Sequence, residues 1–128
     1  LTSLKFFDTI SADTDMIKKL ENVFKALGDR NRLRIVNMLF KKPLCVCEIT
    51  YVLQLSQSTV SGHLRVLKDA DIVIDIKNKL WVDYHLNTAN PWISEITAVI
   101  KAQAQSDSLM DNDLRLLERA DRNHLCKK

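Results

Sequence analysis

Apolar residues recur along this chain with two different periods. From Ile17 through Leu20, Phe24 and Leu27, and again from Leu33 through Val36, Leu39 and Phe40, they fall three or four apart. That spacing lays one face of an α-helix against a core. Asp13 or Thr14 caps the first helix and Gly28 ends it. Asp29 caps the second, and Pro43 interrupts it by lacking an amide hydrogen and forcing Lys42 toward extended geometry. Residues 1–12 carry Phe6 and Phe7 without a clear period and read as an arm that packs on a partner. A third helix over about 45–54 turns Ile49, Val52 and Leu53 inward, and Gln54-Leu55 makes the turn into a fourth. There Ser56 is the cap, and Val60, Leu64 and Leu67 form one buried stripe. The period then drops to two. Ile72, Ile74 and Ile76, followed by Leu80, Val82, Tyr84 and Leu86, alternate as a β-hairpin does, with Lys77-Asn78-Lys79 at its tip and Asn taking the positive φ of a tight turn. Asn90 caps and Pro91 opens a further helix bearing Trp92, Ile93, Ile96, Val99 and Ile100 on one side. After Ser106-Asp107 a last helical run carries Met110, Leu114 and Leu117, and His124 to Lys128 reads as a polar, frayed end.

Two helices, a recognition helix and a basic-tipped hairpin predict a mainly α (α+β) fold, a winged helix-turn-helix with a β-hairpin wing and terminal dimerisation helices. The chain is one domain over 1–128: an N-terminal arm and dimer helix over 1–28, a DNA-binding core with wing over 29–89, and a C-terminal dimer helix and tail over 90–128. The stripe on the 90s helix is wide for an element lying outside a small winged domain. Trp92, Ile93, Ile96, Val99 and Ile100, with Ile17, Leu20 and Phe24, are therefore assigned to an interface between two copies. The polar side of the fourth helix suits DNA. Gln57, Ser58, Thr59 and Ser61 are short groups for base edges in the major groove, His63 and Arg65 suit phosphates, and Lys77 and Lys79 reach backbone or minor groove from the wing. Arg30, Arg32 and Arg34, with Lys41 and Lys42, form the densest positive cluster, either a solvated face or a phosphate contact.

Composition adds limits. The 128 residues are 46% apolar with 2 Gly and 2 Pro, an ordered and largely helical chain. A formal charge of +3 is a weak basic bias that a homodimer would double. No apolar stretch is long enough to span a membrane and no charged-then-apolar leader precedes the domain, although the chain starts at Leu1 rather than Met, as it would with residues missing before it. Three cysteines, an odd number, fit free thiols in a reducing cytoplasm. No nucleophile with a nearby base, phosphate-binding glycine loop or paired carboxylate is evident, so an enzyme is not expected.

Three stretches carry a family likeness: VFKALGDRNRLRIVNML (23–39), PLCVCEI with LSQSTVSGHL (43–49 and 55–64), and LWVDYHL (80–86). With them the chain resembles the ArsR/SmtB family of metal-sensing transcriptional repressors. The resemblance implies a homodimer that binds an imperfect inverted repeat in double-stranded DNA and leaves it when a ligand arrives. Gly62 stands where relatives often have a basic residue, Asp71 replaces the glycine that usually ends the recognition helix, and Lys79 replaces the usual wing glycine.

Thiolates are soft ligands that select trivalent arsenic or antimony, cadmium, lead, zinc or monovalent copper over hard cations. Residues two apart on a regular helix diverge by roughly 200°. Cys45 and Cys47 can then share one ion only if the start of the third helix is distorted, and chelation would favour an unwound turn. On spacing alone they are equally well read as small buried hydrophobes. In the LCVCEI context the family likeness makes them ligands, with arsenite or antimonite the expected inducer, cadmium, lead or zinc the alternatives, and no organic cofactor. Some arsenic-sensing relatives place a third donor where Thr50 stands, and cadmium- and lead-sensing relatives use cysteines in an N-terminal arm, absent from residues 1–44 here. Residues 90–123 contain no histidine, so the family's zinc site on the dimer helix cannot be built. Cys126, beside His124, either closes the site from its own or the partner chain or is a surface thiol; water or an exogenous thiol is the fallback donor. Two rivals stand. One is a thiol-redox or persulfide-sensing repressor, for which a Cys47–Cys126 bridge is the natural product. The other is a winged-helix protein-interaction module without DNA binding.

Overall fold

The computed structural model describes residues 2–126, with side chains from residue 15 onward. Helix α1 runs unbroken over Thr2–Leu27. It begins well before the cap expected at Asp13 or Thr14, because no Gly or Pro lies between Thr2 and Leu27 to stop it. The backbone assigned to an arm is thus helical, while the side chains of Phe6 and Phe7 lie outside the described residues. Asp29 caps α2 (Arg30–Leu39) by accepting from the amides of Asn31 and Arg32 at 2.8 and 3.1 Å.

Helices α3 (Val46–Leu53) and α4 (Gln57–Asp69) are joined through Gln54, which is left-handed at φ 56° and ψ 39°. Ser56 accepts from the Thr59 amide at 3.2 Å, and Val60, Leu64 and Leu67 are fully buried, as the stripe predicts. The end of α4 is a Schellman turn: Ile72 N–H donates to Leu67 at 3.0 Å and Asp71 N–H to Lys68 at 2.9 Å, with Asp71 at φ 60°. A side chain other than glycine sits there at a cost of about 1–2 kcal/mol.

Strands β1 (Val73–Asn78) and β2 (Trp81–Leu86) pair antiparallel, from Val73 opposite Leu86 to Asn78 opposite Trp81. The tip is therefore Lys79-Leu80 rather than Lys77-Asn78-Lys79, and Lys79, at φ 56°, takes the positive angle expected of Asn78. Asn78 instead donates its side-chain amide to Asp83 at 2.9 Å. Of the alternating isoleucines only Ile72 is buried; Ile74 and Ile76 stand on a wing that leaves the body. At its other end β2 is tied to the body. Leu44, just before α3, exchanges two backbone hydrogen bonds with Tyr84, at 3.1 and 2.8 Å.

Asn90 caps α5 (Pro91–Ala104) and Asp107 caps α6 (Ser108–Arg119). Of the end expected to fray, His124 and Leu125 belong to a further turn, α7 (Arg122–Leu125), and Cys126 behind it is buried, because Arg122 and Cys126 both find partners on the body; residues 127 and 128 lie outside the described residues. The core joins Ile35, Met38, Leu44, Ile49, Leu64 and Ile72, and Ile93 belongs to it. Ile93 is 1% exposed in the single chain, so it cannot serve the interface between copies to which its stripe assigned it. Ile17, Phe24 and Val99 do lie open, and Trp92, Ile96 and Ile100 are half-buried. Among the described residues no helix is long and apolar enough to cross a membrane.

Candidate thiol site and nucleic-acid interface

The positive cluster on α2 is mostly consumed by the fold. Arg34 makes a bidentate pair with the fully buried Asp113 of α6, both contacts at 2.9 Å. Arg32 donates to the last carbonyls of α1, with Ala26 at 2.6 Å, and meets His63 Nδ1 at 3.1 Å. His63 is half-buried and held against α2 by that contact. Arg30 stays exposed.

On α4 the expected DNA-facing residues separate. Gln57, Ser58, Thr59 and Arg65 are exposed, Ser61 is half-buried, and the Thr59 hydroxyl accepts from Ser56 at 2.8 Å. Gly62 lies on the same open side, with space where a Cβ would stand. Lys77 and Lys79 are exposed on the wing, which Lys68 of α4 grips through Asp75 at 3.0 Å.

The cysteine geometry differs from the expectation in a useful way. Cys45 is not in the helix. It is the residue before α3, extended at φ −91° and ψ 167°, while Cys47 is in the first turn. The roughly 200° divergence of two helical positions therefore does not apply. The sulfurs of Cys45, Cys47 and Cys126 all lie within 4.8 Å of one another, with α3 already fully formed. Cys45 Sγ is 3.7 Å from Cys126 Sγ, and Cys47 and Cys126 are joined as a disulfide, with Cα atoms 5.7 Å apart. Cys126 of the same chain thus completes the cluster. Thiolates around a single ion at bonds of about 2.3 Å stand roughly 3–4 Å apart. Once the Cys47–Cys126 bond is reduced, the three sulfurs fit such a site. A cleft of about 410 Å³, lined by Cys47, Thr50, Gln57 and Leu125 among others, opens beside it. Thr50, the alternative third donor, sits on that cleft outside the sulfur cluster.

Cys45 and Cys126 are buried and Cys47 half-buried. Burial pushes the Cys45 thiol up, and the Glu48 charge adds to it; the Glu48 amide and the Arg122 charge pull the other way and lose. Glu48 itself is 2% exposed and accepts from the Cys45 amide at 3.0 Å, fixing the extended turn that carries the first cysteine. The reading of the sequence missed what balances Glu48. Arg122, on the turn that ends in Cys126, donates to Glu48 at 2.8 Å and lies 2.8 Å from Asp83 of the wing, over the Trp81 ring at 5.3 Å. For Asp83 burial alone would raise the pKa, but the hydrogen bond from Asn78 and the guanidinium of Arg122 beside it outweigh it and hold the carboxyl below its usual range. Only the Cys-x-x-Glu capping pattern hinted at part of this knot; nothing in the sequence joins residue 122 to residues 48 and 83.

The sequence profile described as bacterial regulatory protein, arsR family, matches residues 29–75, from the cap of α2 into β1. The arsenic resistance transcriptional regulator ArsR1 of Pseudomonas putida is 36% identical over 102 residues, covering 78% of this chain and 79% of that protein. The arsenical resistance operon repressor of Bacillus subtilis is 32% identical, covering 73% of this chain and 93% of that one. Among solved structures, reduced HlyU from Vibrio cholerae superposes with a TM-score of 0.61 at 28% identity, covering 76% of this chain and 97% of its own. The homodimeric winged helix-turn-helix domain of Mb0332 from Mycobacterium bovis gives a TM-score of 0.63 at 20% identity, covering 74% and 86%, a likeness of fold.

Proposed function

Because the chain belongs to the bacterial ArsR family of transcriptional regulators, we propose that it is a homodimeric repressor that leaves its operator when Cys45, Cys47 and Cys126 together bind trivalent arsenic or antimony. The observation that carries this reading is the meeting of three sulfurs, two from the start of α3 and one from the C-terminal turn, within 4.8 Å. Three thiolates suit a soft ion that takes three ligands, and they disfavour hard cations. Relatives such as those of Pseudomonas putida and Bacillus subtilis carry arsenic resistance in their names. Cadmium, lead and zinc are the alternative guests of the same sulfurs.

On the DNA side, Gln57, Ser58 and Ser61 meet base edges in the major groove, Arg65 meets phosphate, and Lys77 and Lys79 extend the contact from the wing. The second copy docks on the open apolar groove lined by Phe24, Leu27, Leu33, Ile96, Val99 and Ile100. Mb0332, which shares the fold, is homodimeric.

Reduced protein bound to an operator selected from random DNA tests the reading by titration with arsenite. Release of the wild type is expected, while Cys45→Ser, Cys47→Ser and Cys126→Ser each bind operator and ignore arsenite. Release from any of the three at the wild-type arsenite concentration places the inducer site elsewhere.

A second reading is favoured by one observation, the Cys47–Cys126 disulfide. Oxidation of those two thiols by a peroxide would form the S–S bond as two electrons and two protons pass to the peroxide, giving water. In that case peroxide releases the operator and arsenite under full reduction does not.

A further inference from the structure

We infer that Arg122 is the positioning residue that passes the state of the three sulfurs to the wing, an inference that rests on the arsenite-responsive reading above. Since α3 is already regular with the sulfurs together, unwinding of its first turn is not needed for binding, and the signal must leave the site by another route. The C-terminal turn provides one. Cys126 N–H donates to the Arg122 carbonyl at 2.8 Å, so ligand and guanidinium are one helical turn apart on a single short element. That guanidinium touches both ends of the route. It lies 2.8 Å from Glu48, which holds the Cys45 amide, and 2.8 Å from Asp83 on β2, against the Trp81 ring.

The three charged side chains are largely withdrawn from water, at 21% exposure for Arg122, 3% for Glu48 and 11% for Asp83. The only other cation within reach of Glu48 among the described residues is the half-exposed Lys42, at 3.7 Å. Two shielded carboxylates thus share one guanidinium as their nearest cation, and neither is easily left behind if it moves. Drawing Cys126 into a shared three-sulfur site fixes where its turn sits against α3. Through Arg122 the same step fixes how β2 and the basic tip stand relative to α4. The backbone bridge between Leu44 and Tyr84 keeps the hinge of this movement in place. A ligand shifts such an equilibrium only by its differential affinity for the two arrangements, and the Arg122 contacts supply that difference.

The test compares wild type, Arg122→Met and Asp83→Asn for arsenite binding, operator affinity with and without arsenite, and Trp81 emission in a Trp92→Phe background. Coupling between sites commonly amounts to about 5- to 150-fold in affinity. Asp83→Asn is expected to bind arsenite as the wild type does, Arg122→Met to retain arsenite binding, and both to hold the operator without it. Their arsenite-induced loss of operator affinity should be roughly tenfold smaller than the wild type's, and the arsenite-dependent change in Trp81 emission should vanish. Should Arg122→Met fail to fold, the nearly isosteric Asp83→Asn decides. Equal release and an unchanged Trp81 response in the variants would overturn the inference and leave the proposed function standing. A wild type that holds its operator in arsenite would overturn both.

Discussion

Arg34 and Asp113 show how a residue that reads as a nucleic-acid contact can belong to the interior. In the sequence Arg34 is one of three arginines near a helix start. In the structure it is 14% exposed and forks onto a carboxylate that no water reaches. Losing the guanidinium would strand a buried charge, which costs about 3–5 kcal/mol. Arg34→Met is accordingly expected to lower unfolding free energy by that amount in urea titration, and Arg34→Met with Asp113→Leu to recover most of it. A single variant as stable as the wild type would mean the pair carries little. The cysteines teach the opposite lesson. Residue type and spacing left them equally readable as ligands or as small buried hydrophobes, and the family likeness of the LCVCEI stretch is what singled them out. Their geometry was not legible, because spacing alone does not reveal that Cys45 stands outside the helix as its cap.

At the scale of elements, the periods of 3.6 and 2 located most of the helices and both strands, and capping residues such as Asp29, Ser56, Asn90 and Asp107 marked where helices begin. The hairpin tip lies one to two residues beyond its expected place. Asn78 is the better residue for a positive φ, yet its side chain is used on Asp83 and Lys79 accepts the strained angle. Tertiary demand outweighed turn propensity there. The two DNA-facing elements should also fail differently when altered. Gln57, at the open start of α4, is expected to read bases, so Gln57→Ala should cost about 1–3 kcal/mol on operator and little on random DNA. Lys79→Ala should weaken both alike and reduce the salt slope by about 1. Equal losses on both DNAs for Gln57→Ala would remove that residue from the groove.

Across the whole molecule, the winged core was readable because it is local in sequence, whereas the closing of the C-terminal turn onto α3 spans 79 residues and leaves no periodic trace. The second copy is expected at Phe24 and Val99, which are 61% and 63% exposed beside an apolar groove. Val99→Lys would set like charges across a two-fold interface. It should give a folded monomer by sedimentation, with operator binding weakened by roughly tenfold or more as the half-sites are no longer bound jointly. A dimeric Val99→Lys protein would move the interface elsewhere. The joining of the C-terminal turn to the start of α3 is tested most directly by counting the sulfur neighbours of arsenic bound to the reduced protein with X-ray absorption. The arrangement of Cys45, Cys47 and Cys126 predicts three sulfurs in the wild type and two in Cys126→Ser. An arsenic atom with the same neighbours in both proteins would contradict it.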